Sequence, residues 1–298
     1  MLSVLTIDEL DKYYGRIHAV NKLSLSVPKG SVYGILGPNG SGKTTTLGIV
    51  LGIIHSTGGS FNWFGEGDND ANRKRIGALL EQPIFYPYLS GEQNLKLAAK
   101  IKGAPKSDIN RVLNLVELET RKRSSAKTYS LGMKQRLAIG SAMLGDPEVL
   151  VLDEPTNGLD PQGIAEMREL IKKIASSGKT IILASHLLDE VEKVCTHVAV
   201  IKNGVLLAEG GVNEIVHNAI QIEIAGSDME RIESLLKGFA GIQQIIRQGN
   251  VWLVTLNEEI HPASINTHLV QSGISIYHFA QRKKRLEEQF LELTANKV

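Results

Sequence analysis

A chain of 298 residues is long enough for one large or two modest domains, each with its own core. With 42% hydrophobic and 22% charged residues it has ordinary globular composition, which excludes a disordered or fibrous chain. A formal net charge of +1 gives no global attraction to nucleic acid or to an anionic membrane surface. Cys195 is the single cysteine, so no disulfide forms within the chain; it reads as a small buried hydrophobe in a reducing compartment. The start, Met1-Leu2-Ser3-Val4, lacks the basic and apolar regions of a signal peptide. The most apolar segment, Leu47 to Ile54, is far short of the roughly 18 residues that a membrane span needs. The expectation is a soluble, cytoplasmic chain that remains free to dock onto a membrane protein.

In chain order, Val4-Leu5-Thr6-Ile7, Leu23-Ser24-Leu25-Ser26-Val27 and Ser31-Val32-Tyr33-Gly34-Ile35-Leu36 read as strands, with Pro28-Lys29-Gly30 as a turn. Lys12-Tyr13-Tyr14-Gly15 falls in the first connection, where the aromatic before the glycine either packs or stacks on a base. The third strand feeds Gly37-Pro38-Asn39-Gly40-Ser41-Gly42-Lys43-Thr44, which fits the phosphate-binding pattern G-x-x-x-x-G-K-[ST], followed at once by Thr45. Glycines at 37, 40 and 42 let the backbone wrap closely, so that successive N–H groups converge on phosphate oxygens. Lys43 adds a charge for the β- and γ-phosphates, and the Thr44 hydroxyl suits Mg²⁺. Thr45 to Leu51 reads as the helix whose N-terminus faces the anion. A strand before the loop and a helix after it are the context the motif requires. A nucleoside triphosphate site is expected here.

Further strands are expected at Gly58 to Gly65 and Ile76 to Gln82, the second stopped by Pro83, with a short polar helix or loop at Asn69 to Lys74 between them. Residues 90 to 144 change character. Ser90-Gly91-Glu92-Gln93 caps a helix over Asn94 to Lys102, a second runs from about Lys106 to Leu118, and a third opens at Ser130. This is a helical insert, about 83–145, in an α/β domain. In Ser130-Leu131-Gly132-Met133-Lys134-Gln135-Arg136 a serine and a glycine open a helix with no acidic residue in its first turn, a second anion site at a helix N-terminus or else an ordinary N-cap.

Strand signals return with Val149-Leu150-Val151-Leu152, which runs into Asp153 and Glu154. Strand alternation points these two carboxylates to different sides, so that Asp153 suits the outer shell of a magnesium ion and Glu154 the attacking water, or else the pair is an acidic turn after a strand. Pro161 to Ser176 is an amphipathic helix, Thr180 to Ala184 a buried strand, and Leu187 to Val194 a helix. A hairpin then turns at Asn203-Gly204. Strands alternating with helices imply a parallel sheet. From residue 218 the pattern is strand, helix, two strands, helix, strand and a final helix over Leu286 to Leu293. This order predicts a small ferredoxin-like α+β domain over 218–298, after a first domain over 1–217.

The motifs together resemble the nucleotide-binding subunit of an ABC transporter over residues 4 to 217. The resemblance implies a P-loop cassette with a mixed-sheet core, an antiparallel β subdomain and a helical subdomain. It makes Gly37 to Thr44 the Walker A motif, Leu150 to Glu154 the Walker B motif and Ser130 to Gln135 the signature. Gln82 becomes the glutamine that senses Mg²⁺ and the membrane partner, and Leu159-Asp160 the D-loop. His186, in Ala184-Ser185-His186, becomes the γ-phosphate contact, and Tyr14 the base-stacking aromatic. The usual L-S-G-G-Q signature reads Tyr129-Ser130-Leu131-Gly132-Met133 here; Ser130 and Gly132 keep the phosphate contact, and Met133 stands where the family's glutamine meets ribose. This form and the ending Leu286-Glu287-Glu288-Gln289-Phe290-Leu291-Glu292-Leu293-Thr294 are similar to the bacterial single-cassette exporter branch that includes bacitracin and other drug-efflux ATPases.

The implied chemistry is hydrolysis of ATP with Mg²⁺ as cofactor, with Lys43, Glu154 and His186 catalytic and Thr44, Gln82 and Asp153 around the metal. The implied partners are a polytopic membrane permease, which would hold the chain at the inner face of the membrane, and a second copy or a paralogue. Walker A of one cassette and the signature of the other enclose each ATP. A soluble ABC ATPase without transport and a nucleotide-sensing regulatory subunit stay as alternatives. The basic runs Arg121-Lys122-Arg123 and Arg282-Lys283-Lys284-Arg285 read as solvated faces, and no nucleic acid is expected.

Overall fold

The computed structural model describes residues 2–67, 69–80, 84–215, 220–257, 260–283 and 286–295. The chain divides between Val212 and Asn213 into two compact units.

The first unit opens with two long strands, β1 (Ser3–Tyr14) and β2 (Ile17–Pro28), which pair antiparallel. Only Gly15 and Arg16 lie between them. Lys12, Tyr13 and Tyr14 therefore belong to the strand and not to a loop, a correction to the sequence reading. Alternation is hidden there because the pairing register slips between Ile7 and Tyr13, with Glu9 at a φ of 42°. Next come β3 (Val32–Leu36), α1 (Lys43–Val50) and β4 (Gly58–Trp63). They are followed by α2 (Asp70–Lys74), capped by Asn69, and by β5 (Ile76–Leu79). Strands β2-β1-β4 form a three-stranded antiparallel sheet. The indole of Trp63 donates to the carbonyl of Val50 at 2.7 Å, which ties that sheet to the end of α1.

The helical segment holds α3 (Gly91–Lys102), α4 (Ser107–Leu115) and α5 (Leu131–Ala142). Helix α3 begins at Gly91, three residues before the expected start, because Ser90 and Gln93 form a reciprocal capping box. Then follow β6 (Val149–Asp153), α6 (Pro161–Ser176), β7 (Thr180–Ser185), α7 (Leu188–Val194), β8 (His197–Lys202) and β9 (Val205–Gly211). A single turn, α8 (Val212–Ile215), ends this stretch. The main sheet has the order β5-β6-β7-β3-β8-β9, parallel except for the β8–β9 hairpin at its edge. Strands β3, β6 and β7 are buried along their whole length, which is why they read as unbroken apolar runs. The core runs between the two sheets, from Leu5, Leu23 and Trp63 to Ile35, Val151 and Ile182.

The second unit contains β10 (Ile220–Gly226), α9 (Met229–Lys237), β11 (Ile242–Gln248), β12 (Val251–Leu256), α10 (Pro262–Gln271), β13 (Ile276–Lys283) and α11 (Leu286–Ala295). Its antiparallel sheet has the order β11-β12-β10-β13, the split arrangement of a ferredoxin-like fold. Ile222, Ile224 and Val254 meet Ile232, Leu236, Ile265 and Leu269 of the two helices in a separate core. The last strand begins two residues later than its apolar start suggests, because Ile274 is buried in that core ahead of the strand. The expected boundary at 217/218 and the basic residues Lys284 and Arg285 lie outside the described residues.

One buried carboxylate holds the helical segment together. Asp108, only 9% exposed, accepts two bonds from the Arg111 guanidinium and one from the Gly145 amide at 2.7 Å. The Arg111 bond outweighs burial and holds this carboxyl below the ordinary aspartate range. Asp108→Ala is expected to cost about 2 kcal/mol in urea unfolding at neutral pH. A depressed folded value means the contribution is complete above the unfolded pKa of roughly 4 and is lost as pH falls through the folded value. The gap between variant and wild type should therefore close in acid below about pH 4, which a pH series of unfolding curves checks.

Candidate active site

The phosphate loop leaves β3 at Leu36 and enters α1 at Lys43. Its shape is imposed from outside. A Cβ at Gly37 would stand 2.3 Å from the carbonyl oxygen of Ile201, and one at Gly42 would stand 2.4 Å from that of Ala19. Gly42 also sits at a φ of 102°, a conformation that L side chains rarely adopt. Between them, Pro38, Asn39 and Gly40 are exposed, while Ser41 is buried and its carbonyl accepts the Gly204 amide at 3.0 Å. No acidic side chain stands in the first turn of α1, so its positive end is uncompensated within the helix. Thr45, the third residue of α1, is half-buried beside the exposed Thr44.

Lys43 is 5% exposed and donates to the carbonyls of Gly37 at 2.7 Å and Pro38 at 3.3 Å. Its ammonium lies 3.6 Å from Glu154 Oε1. The other oxygen of Glu154 lies 2.8 Å from His186 Nδ1. A carboxylate accepts, so His186 Nδ1–H is the donor in this contact. Asp153, at the end of β6, accepts the Thr44 hydroxyl at 2.7 Å. One contiguous set thus joins Lys43, Thr44, Asp153, Glu154 and His186.

The two carboxylates do not part to opposite sides as strand alternation suggests. Glu154 has left the strand and adopts a φ of 48°, and its backbone N–H donates to the Ala184 carbonyl at 3.0 Å. The chain turns there, and Asp153 and Glu154 both line one cleft of about 740 Å³ together with Thr44. A non-glycine residue in this conformation stores strain, which is common at functional sites.

The remaining predicted residues are more scattered. Ser130 caps α5, its hydroxyl accepting the Met133 amide at 3.2 Å, and Gly132 lies in the first turn of that helix. Asp160 caps α6 through the Gly163 amide at 2.8 Å. Tyr14 closes β1, 46% exposed, with the Lys12 ammonium 5.0 Å from its ring centroid. Gln82 lies outside the described residues. The far wall of the cleft is formed by residues that sequence reasoning did not assign to it, Leu131, Gln135, Asn157 and Gly158. The available signal was spacing, since Leu131 and Gln135 are four apart on one helix and so share a face. Gln135 is 4% exposed, and its Oε1 has no hydrogen-bond partner among the described residues.

Among the described residues, no group of three or more His, Cys, Asp or Glu side chains gathers to hold a metal, and no helix is long and apolar enough to cross a membrane. The oxygen-only pairing of Thr44 with Asp153 is instead the small, hard donor set that a cation shares with phosphate oxygens and water.

Comparison with known proteins gives a consistent answer. The family model described as ABC transporter matches residues 20–157. The bacitracin transport ATP-binding protein of Enterococcus faecalis is 34% identical, over 97% of this chain and 96% of that protein. Its counterpart from Bacillus licheniformis is 36% identical, over 98% of each. A solved dimeric ATP-binding cassette in a post-hydrolysis state, bound to ADP and phosphate, is 26% identical with a TM-score of 0.61, over 70% of this chain and 98% of that one. With the phosphate loop, the paired carboxylates and full-length relatives in agreement, the chain belongs to the ATP-hydrolysing, ATP-binding subunits of ABC transporters.

Proposed function

We propose that this subunit powers an exporter, working on a separate polytopic permease at the cytoplasmic face of the membrane and closing on a second cassette when ATP binds. The observation that carries the reading is the Lys43–Glu154–His186 chain, with contacts of 3.6 and 2.8 Å beside the phosphate loop. The amides of residues 37 to 45 and the Lys43 ammonium hold the β- and γ-phosphates. Glu154 orients the attacking water and takes its proton as the water oxygen bonds to the γ-phosphorus and the bond to ADP breaks. His186, held by Glu154, meets the γ-phosphate from the other side. Phosphoryl transfer depends mainly on positioning and electrostatics, which side chains held by one another beside an enclosed lysine supply.

Thr44 and Asp153 would hold Mg²⁺, with Gln82 as a further expected contact. When bound, the ion neutralises charge that develops between the β- and γ-phosphates. Tyr14 stacks on the base. Ser130 and Gly132 of a second cassette cover the γ-phosphate and Asp160 lies at the contact between cassettes, so that ATP bridges two chains and its hydrolysis releases them. The relatives of known role transport bacitracin, which favours export over the soluble and sensory alternatives.

Glu154→Gln should bind ATP, run as a dimer on size exclusion with ATP, and turn over at least about 100-fold more slowly. Full ATPase activity in that variant overturns the role of Glu154. Chelation of divalent ions should abolish turnover, with recovery on adding Mg²⁺. Asp153→Asn should raise the Mg²⁺ concentration needed for half-maximal turnover by about tenfold or more. An unchanged magnesium titration removes Asp153 from the metal site. Recovery of the chain from membranes together with a polytopic subunit separates the transport reading from a soluble ATPase.

A further inference from the structure

The turn between β1 and β2 carries a side-chain cluster that the phosphate chemistry does not use. Tyr13 and His18 are cross-strand partners, and their rings stack with centroids 3.9 Å apart and planes 14° from parallel. His18 Nε2 lies 2.6 Å from Asp11 Oδ1, and the same oxygen accepts the Lys22 amide at 3.1 Å. The His18 contact, ahead of the Lys22 amide, holds the Asp11 carboxyl below the usual carboxylate range. An ionised carboxylate therefore faces the imidazole edge-on and fixes the plane of the ring that Tyr13 stacks upon. The opposite edge of the same strand end is tied to the segment after α1. Lys12 Nζ donates to the His55 carbonyl at 2.7 Å, Tyr13 N to the Thr57 hydroxyl at 3.0 Å, and Thr57 N to the Asp11 carbonyl at 2.8 Å.

From His18, β2 runs directly onto the phosphate loop. Its next residue is Ala19, whose carbonyl occupies the space that a side chain at Gly42 would need. Tyr14 is the residue after Tyr13, and alternation along a strand sends its ring to the other face. One short path, Tyr14–Tyr13–His18–Ala19–Gly42, thus connects an exposed aromatic to the anion site. Every link in it is a covalent bond, a ring stack or a packed backbone contact. We infer that His18, held by Asp11 and stacked on Tyr13, is a positioning residue that sets where the Tyr14 ring stands relative to the phosphate loop. The hairpin thereby favours a triphosphate that carries a base over a bare one. This rests on the reading of Tyr14 as the base-stacking aromatic.

The test uses the full chain with two probes, ATP and inorganic tripolyphosphate, the second measured as a competitor of ATP. Tyr14→Ala should weaken ATP binding by about tenfold or more, the usual consequence of removing a stacking ring, and leave tripolyphosphate unchanged. His18→Ala should weaken ATP roughly threefold to tenfold, with tripolyphosphate and kcat unchanged and KM for ATP raised. His18→Phe keeps the stack and should recover most of the loss. Wild-type ATP affinity in His18→Ala beside a weakened Tyr14→Ala overturns the inference and leaves base stacking in place. A loss of tripolyphosphate binding in His18→Ala also overturns it, because the cluster would then support the loop as a whole. No effect of Tyr14→Ala removes the base-stacking reading itself, and the inference with it.

Discussion

The rest of the first unit depends on a lack of space. At Gly37 and Gly42 the phosphate loop is pressed against two carbonyl oxygens, one from β8 and one from β2. These strands belong to different sheets, so the loop is pinned where an edge of the antiparallel sheet meets the main sheet, next to the core the two sheets share. Backbone bonds continue the joint, with Asn21 donating to the Gly204 carbonyl and Gly204 donating to Ser41. A loop gripped from both sides has lost its conformational freedom before any ligand arrives. Binding then carries little ordering cost, which is the physical basis of preorganisation. It also follows that any side chain at either glycine must move a strand, and so would damage the fold and the site together.

Burial of charge is the second constraint, and it follows from the first. Lys43 opens α1 within the grip of that loop and is almost fully enclosed. An enclosed ammonium needs a counter-charge and acceptors, and breaking such a set costs more than making it returns. Two loop carbonyls and Glu154 meet that need here. Glu154 reaches the lysine because the chain leaves β6 in a left-handed conformation, which turns its carboxylate into the cleft already lined by Asp153. The strain at one residue is the condition for two carboxylates sharing one cavity.

The phosphate loop and the paired carboxylates were legible because their chemistry is local in sequence. A glycine pattern, a lysine and a strand that ends in acids need no knowledge of distant neighbours. The core strands β3, β6 and β7 were legible for the same reason, being buried on both faces and so uninterrupted by polar residues. Two things were not. The strand character of Lys12 to Tyr14 was masked by register slips that break alternation, so a strand looked like a connection. The orientation of Glu154 was misread because alternation is a rule for strands, and the φ that suspends it goes with a backbone hydrogen bond to β7 rather than with residue type. Gln135 falls inside the signature stretch, and its four-residue spacing from Leu131 was the one sign that it shares the face toward the cleft.

Helix α5 combines an uncompensated end with a side that borders the cleft. Its N-terminal turn, with Ser130 as cap, has no acidic side chain, so its positive end is uncompensated within the helix. One face of the same helix, at Leu131 and Gln135, lines the cleft that holds Thr44, Asp153 and Glu154 of its own chain. In the proposed dimer the tip of α5 serves the partner's nucleotide while its side borders its own. Helix α5 spans twelve residues and carries Leu137, Ala138 and Ile139 buried behind the tip, so tip and side belong to one packed element. In the proposed dimer, that shared element gives a physical route for coupling the two ATP sites.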